Sequence, residues 1–261
     1  MALSIKMRLV LMGTLLAVAP TLIVGLILSH NALNKGTEAL QHSAEKQLAL
    51  SRDLTAESIE TYFSFIDRQI SSLAHNNSTV AAANAFSKTF ASFPTNITPA
   101  DNKKLERYYK QQFDKNYQSL NANQSSNPES LLTALSPIAK AMQAAYISNN
   151  PASLGEKDSL TSAGNQSAYD QVHQEFHPMF HEFQQRFGFY DVFLVDAKSG
   201  HVVYSVFKEL DFATSLLSGS YKDSGLGRAF KSAVNAPKDT SYLTDFTPYQ
   251  PSYNAAASFI S

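Results

Sequence analysis

The hydrophobic positions of this chain form three successive patterns. An uncharged apolar run comes first and occupies Leu9 to Ser29, 21 residues. A long stretch with apolar residues at spacings of three, four and seven follows, which is typical of α-helix. After Gly188 the chain changes to short apolar runs separated by turn residues, which are typical of β-strands. The pattern therefore predicts an α+β protein in which helices precede strands.

The apolar run is long enough to cross a bilayer, since a helix rises about 1.5 Å per residue. Lys6 and Arg8 precede it and no acidic residue occurs before Glu38, which predicts a cytoplasmic tail at residues 1–8 and a transmembrane helix at 9–29. A cleaved signal peptide is the main alternative, but its apolar region is usually shorter and ends in a small-x-small site, which Ile27–Asn31 does not resemble. We therefore expect an uncleaved anchor, with residues 30–261 outside the cytoplasm.

Residues 30–75 are predicted to form one long membrane-proximal helix, because no proline occurs between Pro20 and Pro94. Its apolar stripe can pair with a second copy of the chain or pack on the chain's own domain. We expect a homodimer contact in the half nearest the membrane and a core contact from Ile59 onward. The stripe consists of Leu33, Leu40, Ala44, Leu48, Ile59, Tyr62, Phe63, Ile66, Ile70 and Leu73.

Residues 76–185 are predicted to be the helical part of a folded domain. Helical spacing is clearest in Leu105–Leu120 and Leu131–Ile147. Asn121–Pro128 and Pro151–Asn165 are rich in turn-forming residues and are predicted to be loops.

Residues 186–261 are predicted to form an antiparallel sheet. Tyr190–Val195 and Val202–Phe207 should pair as a hairpin around Asp196–Gly200, and a short helix should follow at Gly225–Val234. Tyr242–Phe246 and Ala255–Ile260 are the other two expected strands, separated by a proline and tyrosine loop at residues 247–254. This order gives most of a PAS-like sheet, incomplete at its C-terminal end.

Composition excludes some functions and permits others. The chain has no cysteine, which is compatible with an oxidising compartment. A net charge of -1 with 16% charged residues gives no basic surface for nucleic acid. The common nucleophile, phosphate-loop and zinc-protease motifs are missing from the sequence. We therefore expect a binding protein rather than an enzyme, and no cofactor.

His173, His177 and His181 recur every four residues, so their imidazoles share one stripe of a helix. Two neighbouring imidazoles on such a stripe can bind zinc or nickel. A solvated helix face or a core position near the sheet explains the same spacing without a metal, and Pro178 disturbs the turn that would align the rings. The metal site is therefore only a side hypothesis.

A second group of residues combines aromatic rings with charges on and after the hairpin. Such groups suit a pocket for an amine or a carboxylate, because rings supply contact area and buried charges fix orientation. Tyr190 and Asp191 alternate across a strand, so both can line one pocket only if one lies at the strand's end. In the alternative interpretation Tyr204 is sheet core, Asp196 shapes the turn, and Lys208 with Glu209 is solvated. The ligand-binding candidates are Tyr190, Asp191, Asp196, Tyr204, Phe207, Lys208, Asp211, Tyr221, Asp245, Tyr249 and Tyr253.

Residues 145–261 resemble the periplasmic sensor of bacterial methyl-accepting chemotaxis proteins. The resemblance is most specific in Val203-Tyr-Ser-Val-Phe-Lys-Glu209 with Asp211-Phe212. It extends to Asn149-Asn-Pro, Gly155-Glu-Lys-Asp158, Tyr169, His173, His177-Pro178, Phe187-Gly-Phe-Tyr-Asp-Val-Phe-Leu-Val-Asp196, Asp245-Phe-Thr-Pro-Tyr249, Pro251-Ser-Tyr253 and Ala257-Ser-Phe-Ile260.

The resemblance implies a Cache-like domain, with a PAS-like module that hangs on a long helix and binds a small molecule. It also implies an inner-membrane location, a periplasmic or extracellular sensor, and a cytoplasmic kinase and adaptor as partners of the full-length receptor. The family continues into a second membrane helix, a HAMP linker and a methylated hairpin, which this sequence does not include; we expect a fragment or a truncated receptor. The same sensor could precede a histidine kinase or a nucleotide cyclase, or belong to a membrane-tethered binding protein with no signalling output.

Overall fold

The computed structural model describes residues 4–261, so the first three residues of the predicted cytoplasmic tail lie outside the described part. The chain divides after Phe65 into two compact units. The first contains most of helix α1, Ile5–Ala74, which begins before the apolar run and continues through Pro20. This one helix is apolar enough and long enough to cross a membrane. The predicted transmembrane and long helices are thus a single 70-residue element.

The last turns of α1 belong to the second unit, Ile66–Ser261. Leu73 packs against the hydrophobic core and Gln69 is buried. Ile59 and Tyr62 remain more than half exposed. Core contact along the predicted stripe therefore begins after these two residues.

Helices make up the first half of the second unit. They are α2 (Asn77–Ala91), α3 (Pro99–Arg107), α4 (Asp114–Leu120), α5 (Pro128–Ala134), α6 (Pro137–Gln143) and α7 (Ala168–Phe187). A π-helical turn at Tyr108–Phe113 joins α3 to α4, and a second at Ala144–Ser148 extends α6. The two predicted helices are therefore present, although Leu131–Ile147 is interrupted before Pro137.

Helix α7 forms because its apolar and aromatic residues recur at helical spacing on one buried face, which includes Tyr169, His177 and Phe180. Ser167 caps its N-terminus, since its side chain accepts a hydrogen bond from the backbone N–H of Asp170. Gly188 ends it in a left-handed conformation, φ 71°, which glycine adopts without steric cost.

The strands are shorter than predicted and form two separate hairpins. Strands β1 (Phe193–Val195) and β2 (Val202–Ser205) pair antiparallel, and so do β3 (Thr247–Tyr249) and β4 (Ala255–Ala257). Helix α8 (Gly225–Asn235) lies between them in the chain, close to the predicted Gly225–Val234. The α+β class is confirmed.

The predicted strand at Tyr242–Phe246 forms only an isolated antiparallel bridge, in which Leu243 lies opposite Ile260 and Tyr242 exchanges backbone hydrogen bonds with Ser261. A strand forms at Thr247–Tyr249, within the expected loop, so the loop prediction is wrong there. Pro248 is tolerated there because a two-stranded sheet consists only of edges.

The core of the second unit lies between α2, α7 and the β1–β2 hairpin. The ring of Phe86 lies 4.7 Å from that of Tyr204 and 5.3 Å from that of Tyr169. The hydroxyl of Tyr169 donates to the carbonyl of Val203. These contacts hold helix and hairpin together, and the chain leaves the hairpin at Ser205 directly beside the core.

Candidate functional site

The segment that follows β2 turns inward and is almost completely buried. Lys208 and Ala213 adopt left-handed backbone conformations, with φ 57° and 67°, which cost about 1–2 kcal/mol for a residue other than glycine. Gln143 of α6 holds the segment in place, because its amide donates to the carbonyls of Leu210 and Phe212 at 3.0 and 2.8 Å. The fold therefore supports a strained turn that directs polar side chains into the interior.

Two carboxylates of this turn are surrounded by hydroxyl groups. Glu209 accepts hydrogen bonds from Tyr190 at 2.7 Å and from Ser252 at 2.5 Å. Asp211 accepts a short hydrogen bond from Tyr249 through Oδ2. We call Glu209, Asp211, Tyr190, Tyr249 and Ser252 the carboxylate cluster.

The cluster is electrostatically unbalanced. The ion pairs found among residues 4–261 involve neither Glu209 nor Asp211. Burial raises the pKa of Glu209 to about 7 and that of Asp211 well above its usual value. The Oδ1 atom of Asp211 is buried and has no hydrogen-bond partner. An unpaired buried carboxylate oxygen is costly and requires a role.

Two more tyrosines of the hydrophobic core have hydroxyls that make no hydrogen bond to the described part of the protein. Tyr108 and Tyr221 are each only 4% exposed, and neither hydroxyl donates to another described residue. Burial raises the pKa of both, and nearby carboxylates add to the effect: Glu209 for Tyr108, and Asp211 with Glu209 for Tyr221. The buried carboxylates therefore influence both tyrosines electrostatically.

Asp191 is a structural carboxylate at the base of the hairpin. It accepts from the backbone N–H groups of Val206 and Phe207 and from the hydroxyl of Ser205. The backbone N–H of Val206 also donates to the carbonyl of Val192, so strand pairing continues to Val206, whereas Phe207 bonds the Asp191 carboxylate instead of a strand partner. Burial nevertheless raises the pKa of Asp191 to about 6.

Lys208 is buried in the same turn, so the interpretation that Lys208 and Glu209 are solvated is wrong. Its Nζ donates to the carbonyl of Val206 at 3.1 Å and lies 5.7 Å from the centre of the Tyr204 ring. Burial lowers the pKa of Lys208 to about 7.

The three histidines of α7 form the predicted stripe, with ring centres 4.6 Å apart for His173 and His177 and 5.6 Å apart for His177 and His181. Pro178 does not disrupt it. The Nε2–H of His177 donates to the carbonyl of Asp158, so its Nδ1 accepts from the hydroxyl of Tyr204. Burial lowers the pKa of His177 to about 3.

The remaining histidine contacts argue against the metal hypothesis. Nδ1 of His173 lies 2.7 Å from the carbonyl of Thr161, and His181 pairs with the Asp158 carboxylate. Residues 4–261 contain no group of three or more histidines, aspartates or glutamates arranged to hold a metal ion. The stripe instead links α7 to Asp158 and Thr161 and, through His177 alone, to Tyr204 of the hairpin.

The structure does not bring all of the predicted ligand-binding residues together. Tyr190, Asp211, Tyr221, Tyr249 and the missed Glu209 lie together. Asp196 shapes the hairpin turn, because its Oδ1 accepts from the N–H groups of Lys198 and Ser199. Asp245 is exposed and bonds only the following backbone N–H. Tyr253 is half-buried and stacks on Phe113.

A separate surface groove of about 260 Å³ lies near the start of α7. Its lining includes Phe93, Ile97, Asp101, Asn149 and Ser167. The polar groups are already paired, since Asn149 donates to Asp101 and Ser167 caps α7. The groove therefore offers little unsatisfied chemistry, unlike the carboxylate cluster.

Comparisons with protein families, with curated proteins and with solved structures found no match to this chain.

Proposed function

We propose that this chain is the transmembrane sensor region of a bacterial chemoreceptor, with a Cache-like domain outside the inner membrane that binds a small molecule. The observation that carries the proposal is the continuity of α1, which begins with the membrane-spanning candidate and ends inside the folded unit. A helix of this kind can transmit a displacement from the domain to the membrane. The sequence resemblance supports the chemotactic output.

A chain of contacts connects the carboxylate cluster with the end of α1. Ser241 donates to Asp67, and His75 pairs with Asp239 at 2.8 Å. The segment that they hold continues into β3, where Tyr249 donates to Asp211. A ligand that changes the Tyr249 contact therefore acts on a segment that is hydrogen-bonded to Asp67, in the last turns of α1, and to His75 just after the helix.

Signalling requires that the ligand favour one of two helix arrangements. The exposed apolar residues Leu33, Leu40 and Leu48 supply the surface for such arrangements, since each is at least two-thirds exposed. We propose that a second copy of the chain covers them in a homodimer. The positive residues Lys6 and Arg8 place the N-terminus in the cytoplasm under this proposal.

The absence of native cysteine permits a direct test in membranes. Leu40→Cys lies on the stripe, and the matched control His42→Cys lies about 200° around the helix. We expect oxidative cross-linking of Leu40→Cys dimers and little cross-linking of His42→Cys. A panel of small amines, carboxylates and sugars should include a compound that changes the Leu40→Cys cross-linking rate.

Orientation is tested by labelling Ser4→Cys and Ser258→Cys with a membrane-impermeant maleimide. We expect Ser258→Cys to react in cells with a permeabilised outer membrane, and Ser4→Cys to react only after the inner membrane is opened. The reverse pattern would refute the orientation. Equal cross-linking at positions 40 and 42, together with no response to any compound, would refute the sensor.

A sensor coupled to a histidine kinase or a nucleotide cyclase remains the second candidate output, because the same continuous helix serves all three. The labelling and cross-linking experiments give the same result for all three output domains, so they do not distinguish them. Chemotaxis toward the compound identified in the panel, lost in a strain lacking the receptor gene, distinguishes the chemoreceptor from the alternatives.

A further inference from the structure

The carboxylate cluster has the composition of a cation-binding site. Glu209 and Asp211 are both buried, and the ion pairs within residues 4–261 include neither. The hydroxyls of Tyr190, Tyr249 and Ser252 satisfy three of the four carboxylate oxygens. The fourth, Oδ1 of Asp211, is enclosed without a donor.

Tyr108 and Tyr221 give a second indication of a binding site. Each is buried, yet its hydroxyl bonds no other described residue, and each lies near the carboxylates. One enclosed acceptor and two hydroxyls without a protein partner thus belong to the same electrostatic environment. A single ligand that donates several hydrogen bonds would satisfy all three.

The aromatic residues around the carboxylates indicate the chemical class of that ligand. The ring of Tyr221 lies 6.3 Å from that of Tyr249, and the ring of Tyr108 lies 6.2 Å from that of Tyr109. Aromatic faces and carboxylates together favour an organic ammonium ion, through cation–π attraction and charge-assisted hydrogen bonds. A metal ion fits less well, because residues 4–261 hold no group of three suitable ligands.

We propose that Glu209 and Asp211, walled by Tyr108, Tyr221 and Tyr249, form a binding site for a small primary ammonium ion. This inference rests on the proposed sensor function and names its ligand class. The ammonium donates to Oδ1 of Asp211 and competes with the Tyr249 and Ser252 hydroxyls for the other carboxylate oxygens. Binding therefore acts on the β3 contact that leads toward α1.

Tyr190 marks the access to the site. Its side chain is 55% exposed, whereas its hydroxyl reaches the buried Glu209. Tyr190 therefore lies between solvent and the Glu209 carboxylate.

The test is calorimetric titration of the full chain in lipid nanodiscs with propylammonium, and with propionate and 1-propanol as matched anionic and neutral probes. We expect saturable binding of propylammonium only. Asp211→Asn should weaken it by about 10- to 100-fold, because a hydrogen bond to a charged group contributes about 1.5–3 kcal/mol. The exposed Asp223→Asn variant should bind like the parent chain.

Tyr221→Phe keeps the inference testable if Asp211→Asn does not fold. Its hydroxyl bonds nothing in the described structure, so its removal should leave thermal stability unchanged and still reduce affinity several-fold. No saturable binding of propylammonium, or unchanged affinity in both variants, would overturn the ammonium site. Binding of propionate instead, with a changed cross-linking rate, would overturn this inference and leave the sensor proposal standing.

Discussion

Glu209→Gln tests whether the carboxylate cluster is as deeply buried as the structure indicates. The folded protein holds the Glu209 proton more tightly than the unfolded chain does, because burial raises its pKa from 4.5 to about 7. One pKa unit corresponds to about 1.36 kcal/mol, so deprotonation of buried Glu209 costs roughly 3 kcal/mol. The parent chain should therefore lose this much stability as pH rises from about 4.5 to 7.

Glutamine removes the charge and keeps the shape. The Tyr190 and Ser252 hydroxyls can each donate or accept, so both can bond the amide. We expect Glu209→Gln to raise Tm by about 6–12 °C at pH 8, since 1 kcal/mol shifts Tm by about 2–4 °C in a unit of this size. At pH 4.5 the two proteins should melt within a few degrees of each other.

The assay is thermal unfolding followed by near-ultraviolet circular dichroism of tyrosine, because the chain has 12 tyrosines and no tryptophan. The full chain is kept in detergent micelles, and the exposed Glu156→Gln variant is the control. Parallel Tm curves for Glu209→Gln and the parent across pH 4.5–8 would refute the burial argument. A variant that is less stable at both ends of the range would show that hydrogen bonding, rather than desolvation, dominates at Glu209.

Three further changes test neighbouring features by the same melting assay. Lys208→Met should raise Tm more at pH 6 than at pH 10. The free-energy cost of burying the ammonium is fully present below the folded-state pKa of about 7 and disappears as pH rises toward the unfolded-state pKa of 10.5. An equal gain in Tm at pH 6 and pH 10 would contradict this. Tyr204→Phe should cost about 1–3 kcal/mol by leaving Nδ1 of His177 without a donor, and an unchanged Tm would show that the bond is dispensable. Gly200→Ala should cost roughly 1–2 kcal/mol, because Gly200 has φ 68° and a Cβ there would lie 2.7 Å from Cγ of Leu217; an unaffected Tm would show that the turn relaxes.

The sequence was sufficient to predict the elements whose signals are local. Hydrophobicity and periodicity predict the apolar run and the helix that follows it. The end of α7 is predictable because Gly188 can adopt a left-handed backbone conformation. The β1–β2 turn was predictable for the same reason, since Asp196 bonds N–H groups only two and three residues away.

The candidate site was only partly predictable, because its contacts join distant residues. Side-chain chemistry alone identifies Tyr190, Asp211, Tyr221 and Tyr249 as candidates. It misses Glu209, because an adjacent Lys-Glu pair is usually exposed to solvent. Nothing in the neighbouring residues reveals that Ser252, 43 positions away, donates to that carboxylate. Burial of charge is decided by tertiary packing, which single-sequence patterns do not encode.

The shift of β3 to Thr247–Tyr249 has a similar origin. Pro248 and Pro251 favour a loop at residues 247–254, and local propensity favours a strand at the more apolar Tyr242–Phe246. The antiparallel partner Ala255–Ala257 and the bond from Tyr249 to Asp211 outweigh those propensities. The expected single PAS-like sheet depends on such long-range pairing and stays a prediction.

The π-helical turn at Tyr108–Phe113 has a consequence for how this sequence can diverge. Such a turn accommodates one residue more than an α-helical turn, so loss of Lys110 would restore regular helix without breaking the chain. It would also rotate everything after it by about 100°, which would take Asp114 away from the Ser126 groups that it binds. Related sequences should therefore tolerate many substitutions at the outward-facing Gln111 and Gln112, yet keep the length of this segment constant.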